Sequence, residues 1–309
     1  SGGREHALYR KIKESPRQTR VFVWPGNGLV PGEDRVNAAA IAADFSPLAD
    51  FIAREKIDFT VVGNEAPLVA GVRDYLKDKF KNHAVFGPDA LGAQLEGSKA
   101  FSDDFMREAN IPHGSSVIAD SLSEALNALP AQELPLVLKA DGLAAGKGVS
   151  IHHDYASAEE KLKEIFDGRI FGDSGNRVLL QKFLHGTEAS LFALCNGKDA
   201  LLLPVARDYK RALTGDEGEN TGGMGAYCPG DNLNDAQKNY VREYIIEPVL
   251  KKFAYRGLLY VGLMIRSERA DDLAVVEFNC RFGDPETQSI LPLIEGDALE
   301  YLLWTDDEI

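Results

Sequence analysis

From residue 1 to about 96, short apolar runs alternate with stretches of helical periodicity. The runs are Arg20-Val21-Phe22-Val23-Trp24, Phe59-Thr60-Val61-Val62 and Ala84-Val85-Phe86; the helical stretches cover Arg4 to Glu14, Pro47 to Glu55 and Leu68 to Phe80. Strands alternating with helices predict an α/β unit built on a doubly wound parallel sheet. Ligands of such a sheet sit beyond the C-terminal ends of its strands. Those ends carry Ser1-Gly2-Gly3, Pro25-Gly26-Asn27-Gly28 and Gly63-Asn64-Glu65, so the three loops are expected to line one crevice. Ser1-Gly2-Gly3 reads as the turn after a strand, and a first strand is therefore expected ahead of residue 1.

Near Gly97 the pattern changes to α+β. Helices are expected around Ser98 to Ala109, Ser121 to Leu129 and Ser157 to Phe166, with strands at Leu136 to Ala140, Val149 to His153, Val178 to Phe183 and Ala189 to Cys195. Residues from about 115 to 190 could form a lid over a site. Beyond them come a glycine-rich segment from Gly215 to Gly225, a long helix from Asp235 to Phe253, and two strands near Leu258 to Arg266 and Leu273 to Asn279. The expected division is thus 1–96 and 97–309, the lid belonging to the second unit.

Composition narrows the functions. The chain has 309 residues, 44% of them hydrophobic, and a formal net charge of −14. Nucleic acids and anionic membranes are held by basic surfaces that displace counterions, which argues against either as a partner. Any anionic ligand must be held by local charge. No apolar run approaches the roughly 20 residues of a membrane span. Three cysteines in no metal-ligand spacing read as reduced thiols, and a cytoplasmic location is expected.

Leu134 to His153, LPLVLKADGLAAGKGVSIHH, is the stretch richest in candidate chemistry. It resembles a phosphate cradle but not the G-x-x-x-x-G-K-[ST] loop: three residues separate Gly142 from Gly146, and Gly148 follows Lys147 where a metal-holding hydroxyl would stand. The reading is strand, glycine loop, strand. Lys139 and Lys147 could face one pocket while Gly142, Gly146 and Gly148 let backbone amides approach phosphate oxygens. An ordinary hairpin with solvated lysines is the other reading. Lys99 follows Ser98, a good N-cap, and a cation at a helix N-terminus wants an anion nearby.

A phosphate site calls for a divalent cation, and Val275 to Arg281 offers ligands. Period two places Glu277, Asn279 and Arg281 on one strand face. A carboxylate and an amide suit a hard cation such as Mg2+ or Mn2+, and Arg281 could clamp phosphate or carboxylate through its fork. An edge strand with one solvated face would show the same pattern. Gln181 to Leu184, with Phe183, could be a hinge whose backbone meets adenine, Glu188 reaching the ribose; a strand ending in a polar turn explains it equally. Arg207 to Arg211, with Asp208 and Lys210, beside Asn220 to Gly225, suits small polar ligands or a surface loop.

Taken in order, Ser1 to Leu8, Gln94 to Lys99, Lys139 to Val149, Asn220 to Tyr227 and Glu277 to Glu286 resemble the phosphoribosylamine–glycine ligase family, glycinamide ribonucleotide synthetases of the ATP-grasp superfamily. The resemblance implies a pre-ATP-grasp domain followed by an ATP-grasp domain whose glycine loop closes on ATP. It implies phosphate contacts from Lys99, Lys139 and the loop, adenosine contacts from Gln181, Phe183, Leu184 and Glu188, and metal ligation by Glu277 and Asn279. It implies that Gly3, Arg4, Glu5, Asn27, Glu65, Asp208, Lys210, Arg281, Gly283, Asp284 and Pro285 surround glycine and 5-phosphoribosylamine. Chemistry would fall to Lys147, Arg281 and Asp208. Two departures stand out: the family's usual histidine is Tyr209 here, and a further small domain would follow residue 309. The competing expectations are an ATP-grasp ligase for another amine and a nucleotide-binding module without turnover.

Overall fold

The computed structural model describes residues 2–306 except 18, 42, 145–146, 216 and 231–232. The first helix spans Gly3–Lys13, and its start is closed by the Glu5 side chain, whose Oε2 accepts from Gly2 N at 2.5 Å. Strands β1 (Phe59–Val61) and β2 (Ala84–Phe86) pair in parallel, as the alternating pattern predicts. Two details differ from the periodicity. The Arg20 to Trp24 run forms a single bridge, Val23 to Arg35, rather than a strand, and Phe22 and Trp24 set their rings edge-on against Phe51. The Leu68 to Phe80 helix is two helices, Glu65–Val69 and Val72–Lys79, because Gly71 between them adopts φ 84°.

Among the described residues the second part holds three sheets. In the first, β3 (Ser116–Ala119), β4 (Leu136–Ala140), β5 (Val149–His152) and β6 (Val178–Lys182) lie in the antiparallel order β3-β6-β4-β5. Every residue of β4 is buried, since strands flank both its edges and the Tyr155–Phe166 helix packs against it. Leu136, Leu138, Leu162 and Val178 give this layer a core of its own, each such side chain stabilising by roughly 1.5–3 kcal/mol.

A second sheet runs β7 (Thr187–Asn196), β8 (Ala200–Leu202), β11 (Arg256–Ile265) and β12 (Leu273–Asn279) in the order β12-β11-β7-β8. Its apolar face packs on the helical stretch 235–253 and on Leu68, Val72 and Leu76, so one core joins the early helices to the late sheet. In β11 a register shift falls between Gly262 and Leu263, leaving Gly262 directly opposite Glu277. The third sheet is a hairpin of β9 (Arg207–Leu213) and β10 (Glu217–Tyr227). Most of the glycine-rich segment Gly215 to Gly225 thus lies in β10, where the sequence pattern predicts no strand. Glycine is depleted in strands, and here two register shifts let the chain pair in spite of it.

Behind β2, two residues past the helix Ala298–Trp304, lies Asp306, whose fully buried carboxylate meets Arg73, Lys77 Nζ at 2.8 Å and the backbone N of Val85 at 2.8 Å. This cluster ties the end of the chain to the first parallel strand pair.

Candidate active site

The glycine loop leaves β4 beside the N-terminus of the Lys99–Glu108 helix. Ser98 caps that helix by accepting from Phe101 N at 3.1 Å. The Asp141 carboxylate sits at the same terminus, with Oδ1 accepting from Ser98 Oγ at 2.9 Å and from Ala100 N at 2.7 Å. The anion that a lysine at this position calls for is therefore Asp141. Lys99 Nζ turns inward and donates to Gly142 O at 3.0 Å.

Lys139, next to the end of β4, is buried and donates to Val276 O at 2.9 Å, reaching across to β12. Burial pushes its pKa down to about 8, against the upward pull of Glu277. Burial likewise lowers Lys99, again opposed by Glu277. Glu277 would be raised by its own burial, but Lys210, Lys139, Asn279 and Lys99 hold it below the usual carboxylate range. Asn279 Nδ2 donates to Glu277 Oε1 at 3.3 Å, so this pair shares one strand face as period two predicts. Arg281 lies past the end of β12.

Lys210 Nζ stands 3.7 Å from Asp208 Oδ2 and 3.9 Å from Glu277 Oε1. Tyr260, then Glu277, Asp208 and Glu188, raise its pKa well above the usual lysine value against burial. Alternation along β9 puts Asp208 in the interior and leaves Tyr209 half exposed, its ring 6.2 Å from that of Tyr227. The departure from the family's histidine thus falls on the outer face. Glu188, Ser190, Lys210, Tyr260 and Glu277 line one recess.

A second cluster lies at the strand ends of the first unit. Arg281 Nη2 donates to Glu96 Oε1 at 2.7 Å and its Nε to Glu65 Oε2 at 3.3 Å. Glu96 Oε2 in turn accepts from Cys280 N at 2.7 Å. Arg4, braced by Glu5 at 2.6 Å, and Arg281 both donate to the carbonyl of Phe282, at 3.1 and 3.2 Å. Asn27 Nδ2 donates to Gly2 O at 3.1 Å, and a Cβ on Gly63 would lie 2.8 Å from Glu5 Oε1, so the three expected loops do converge. Gly3 faces Gln288, which also donates to Asp284 Oδ1 at 2.6 Å, while Pro285 packs against Gly223. Gly283 abuts Glu286.

A profile described as "Phosphoribosylglycinamide synthetase, N domain" matches residues 1–96, and one described as "Phosphoribosylglycinamide synthetase, ATP-grasp (A) domain" matches 97–287. The chain belongs to the phosphoribosylglycinamide synthetase family. A phosphoribosylamine–glycine ligase of Leptospira interrogans is 44% identical over 98% of the chain and 71% of its own length. One from Escherichia coli is 43% identical with the same coverage. The crystal structure of phosphoribosylamine–glycine ligase from Thermotoga maritima superposes with a TM-score of 0.77 at 32% identity, covering 95% of this chain and 70% of that one. As a phosphoribosylglycinamide synthetase, the chain is an ATP-grasp ligase.

Some synthetase residues singled out in the sequence lie apart from the lysine cluster. Lys147 is exposed, its backbone N held by Ala144 O at 2.9 Å, while Gly148 is buried. Gly146 lies outside the described residues. Gly142 leaves no room for a side chain, since a Cβ there would stand 2.5 Å from Ser174 Oγ. Gln181 is buried with its amide on Gly114 O at 3.2 Å, and Phe183 and Leu184 form the turn that leads to Glu188.

Sequence reasoning missed Glu96, Asp141, Ser190, Tyr260 and Glu286 as site residues. Glu96, Asp141 and Glu286 lie inside the quoted motifs and could have been taken from them. Tyr260 and Ser190, joined at 3.0 Å inside apolar strands, give no local signal.

Among the described residues no three histidine, cysteine or acidic side chains gather as a metal cage. Glu277 and Asn279 nevertheless fit a hard cation that completes its shell with phosphate oxygens and water.

Proposed function

We propose that this chain ligates glycine to 5-phosphoribosylamine with ATP, giving glycinamide ribonucleotide, ADP and phosphate, as a step of purine biosynthesis. The observation that carries the reading is the convergence of Lys99, Lys139, Lys210 and Asn279 on the Glu277 carboxylate, within electrostatic reach of Arg281. The match to relatives of one name over 98% of the chain does not favour another amine or a module without turnover.

A carboxylate does not acylate an amine unaided, because oxide is a poor leaving group. A glycine carboxylate oxygen attacks the γ-phosphorus of ATP, the bond to the β-phosphate oxygen breaks, and glycyl phosphate and ADP result. The ribosylamine nitrogen then attacks the acyl carbon, phosphate leaves with the bonding electron pair, and the nitrogen gives up a proton.

Lys99 and Lys139 neutralise charge on the triphosphate, and Lys147 approaches it from the loop. Gly142, Gly146 and Gly148 bring backbone amides to the same oxygens. Gln181, Phe183, Leu184 and Glu188 hold adenosine, and residues from about 115 to 190 exclude water from the acyl phosphate as a lid. Glu277 and Asn279 would hold Mg2+, or Mn2+, which would supply charge stabilisation to the transferring phosphoryl group. Gly3, Arg4, Glu5, Asn27, Glu65, Asp208, Lys210, Arg281, Gly283, Asp284 and Pro285 surround the two substrates, Asp208 and Arg281 nearest the reacting groups. The work is done in the cytoplasm.

The test is ADP release by the purified chain. Release requiring both glycine and phosphoribosylamine supports the reading; ADP release indifferent to either substrate, or driven by a different amine, overturns it.

A further inference from the structure

We propose that Asp141 is a positioning residue for the nucleotide, clasping the start of the glycine loop to the N-terminus of the Lys99–Glu108 helix and so fixing where the Lys99 amine points. The inference rests on the nucleotide-binding part of the reading above. Five hydrogen bonds form the clasp. Asp141 Oδ1 accepts from Ser98 Oγ and Ala100 N, at 2.9 and 2.7 Å. The Asp141 carbonyl accepts from Lys99 N at 3.1 Å and from Lys99 Nζ at 3.4 Å, and the Gly142 carbonyl accepts from Nζ at 3.0 Å.

Each part has a physical reason. The helix terminus presents orphan N–H groups and a partial positive charge, which Ser98 alone does not satisfy. A lysine at its first position adds a full positive charge there. The Asp141 carboxylate answers both, and in doing so draws β4's exit against the helix. With the backbone of 141–142 held, two carbonyls face inward and hold the Lys99 amine, which is largely buried. Entering phosphate oxygens would find that amine already aimed and would displace only weak carbonyl contacts. Without the clasp, Lys99 would keep its charge but lose its bearing, and the loop would leave β4 at a different angle.

Both side-chain bonds fall on Oδ1. An asparagine can therefore keep both acceptor contacts while removing the charge, and alanine removes everything. The experiment compares Asp141→Asn, Asp141→Ala and Ser98→Ala in the whole chain. It uses calorimetric titration with ADP and Mg2+, steady-state KM for ATP and for glycine, and thermal unfolding.

Loss of a hydrogen-bonded anionic cap predicts that Asp141→Ala weakens ADP binding and raises KM for ATP by about tenfold. KM for glycine stays put, and Asp141→Asn returns to within about threefold of the parent, since the acceptor survives. Ser98→Ala, which removes one of the two donors to Oδ1, falls between. Unchanged ADP affinity in Asp141→Ala overturns the proposal. So does an equal rise in KM for ATP and glycine that tracks a lowered unfolding temperature. If Asp141→Ala does not fold, Asp141→Asn and Ser98→Ala decide: wild-type ADP affinity in Ser98→Ala together with a loss in Asp141→Asn would show that charge, not the clasp, matters. If the parent binds ADP but shows no glycine-dependent turnover, the reaction assigned above fails while the calorimetry still judges the clasp.

Discussion

Arg281 and Glu96, 185 residues apart in sequence, meet at 2.7 Å in the interior of the site. Glu96 is buried, and burial raises its pKa against the pull of Arg281 and the Cys280 backbone N–H. The guanidinium also carries Glu65, so its fork is engaged by two carboxylates. Replacing Arg281 by lysine would leave a compact ammonium where a planar fork spans two partners. Arg281→Lys keeps the charge but is expected to lower stability by about 1–3 kcal/mol, the scale of leaving buried acceptors without their donor. Urea unfolding checks it, and adding Glu96→Gln should restore part of the loss. An unchanged midpoint in Arg281→Lys would remove the pair from the stabilising set.

Glu277→Gln should leave the fold intact, because the carboxylate, though ringed by lysines, opens onto the recess with 37% of its side-chain surface exposed, and weaken Mg2+-dependent ADP binding by about tenfold or more, the scale of disturbing a metal site. Titrating Mg2+ at fixed ADP reads this directly. Identical Mg2+ dependence in parent and variant would exclude Glu277 as a ligand.

Lys139 makes a pH prediction. Its pKa is about 8 in the fold and 10.5 for an ordinary lysine, so between those values the unfolded chain binds more protons than the native one. Nucleotide-free stability from this group therefore rises with pH from about 8 to 10.5, by a few kcal/mol at most, and the full penalty applies below 8. Lys139→Met should flatten the difference profile in chemical unfolding across that window. A parallel profile for parent and variant would contradict the burial argument.

Asp306 acts in the same sense in the acid range, where stability also rises with pH. Burial alone would raise it, but Lys77 and Arg73 hold it below the ordinary carboxylate range. Its stabilisation is present above that range and lost as pH falls through the native pKa. Asp306→Ala, which strands two cations beside a buried strand, is expected to cost about 3–5 kcal/mol in thermal or chemical unfolding.

Legibility in the sequence followed locality. β4 and β12 were readable to the residue, because each is an unbroken apolar run with polar groups at fixed alternation. The strand face shared by Glu277 and Asn279 came from the same alternation. The β9–β10 hairpin was not readable, since glycine weakens strand propensity and the pairing depends on two register shifts. Nor were the partners of Arg281, because Glu65 and Glu96 come from other helices and no local pattern records a contact over such separations. Asp141 stood in plain view within the glycine motif. Its role became visible only when the Lys99–Glu108 helix was seen to begin beside it.

Gly262 sits across from Glu277 where β11 shifts register, and a Cβ there would stand 3.2 Å from Glu277 Cγ and 3.4 Å from the Tyr260 ring. A methyl group at that position would have to push one of them aside by a few tenths of an ångström. The orientation of the Glu277 carboxylate is thus held partly by an absence of atoms on the neighbouring strand. Sequence drift at 262 would shift this carboxylate while every charged residue of the synthetase stayed in place, so a survey confined to ionisable side chains would overlook the change.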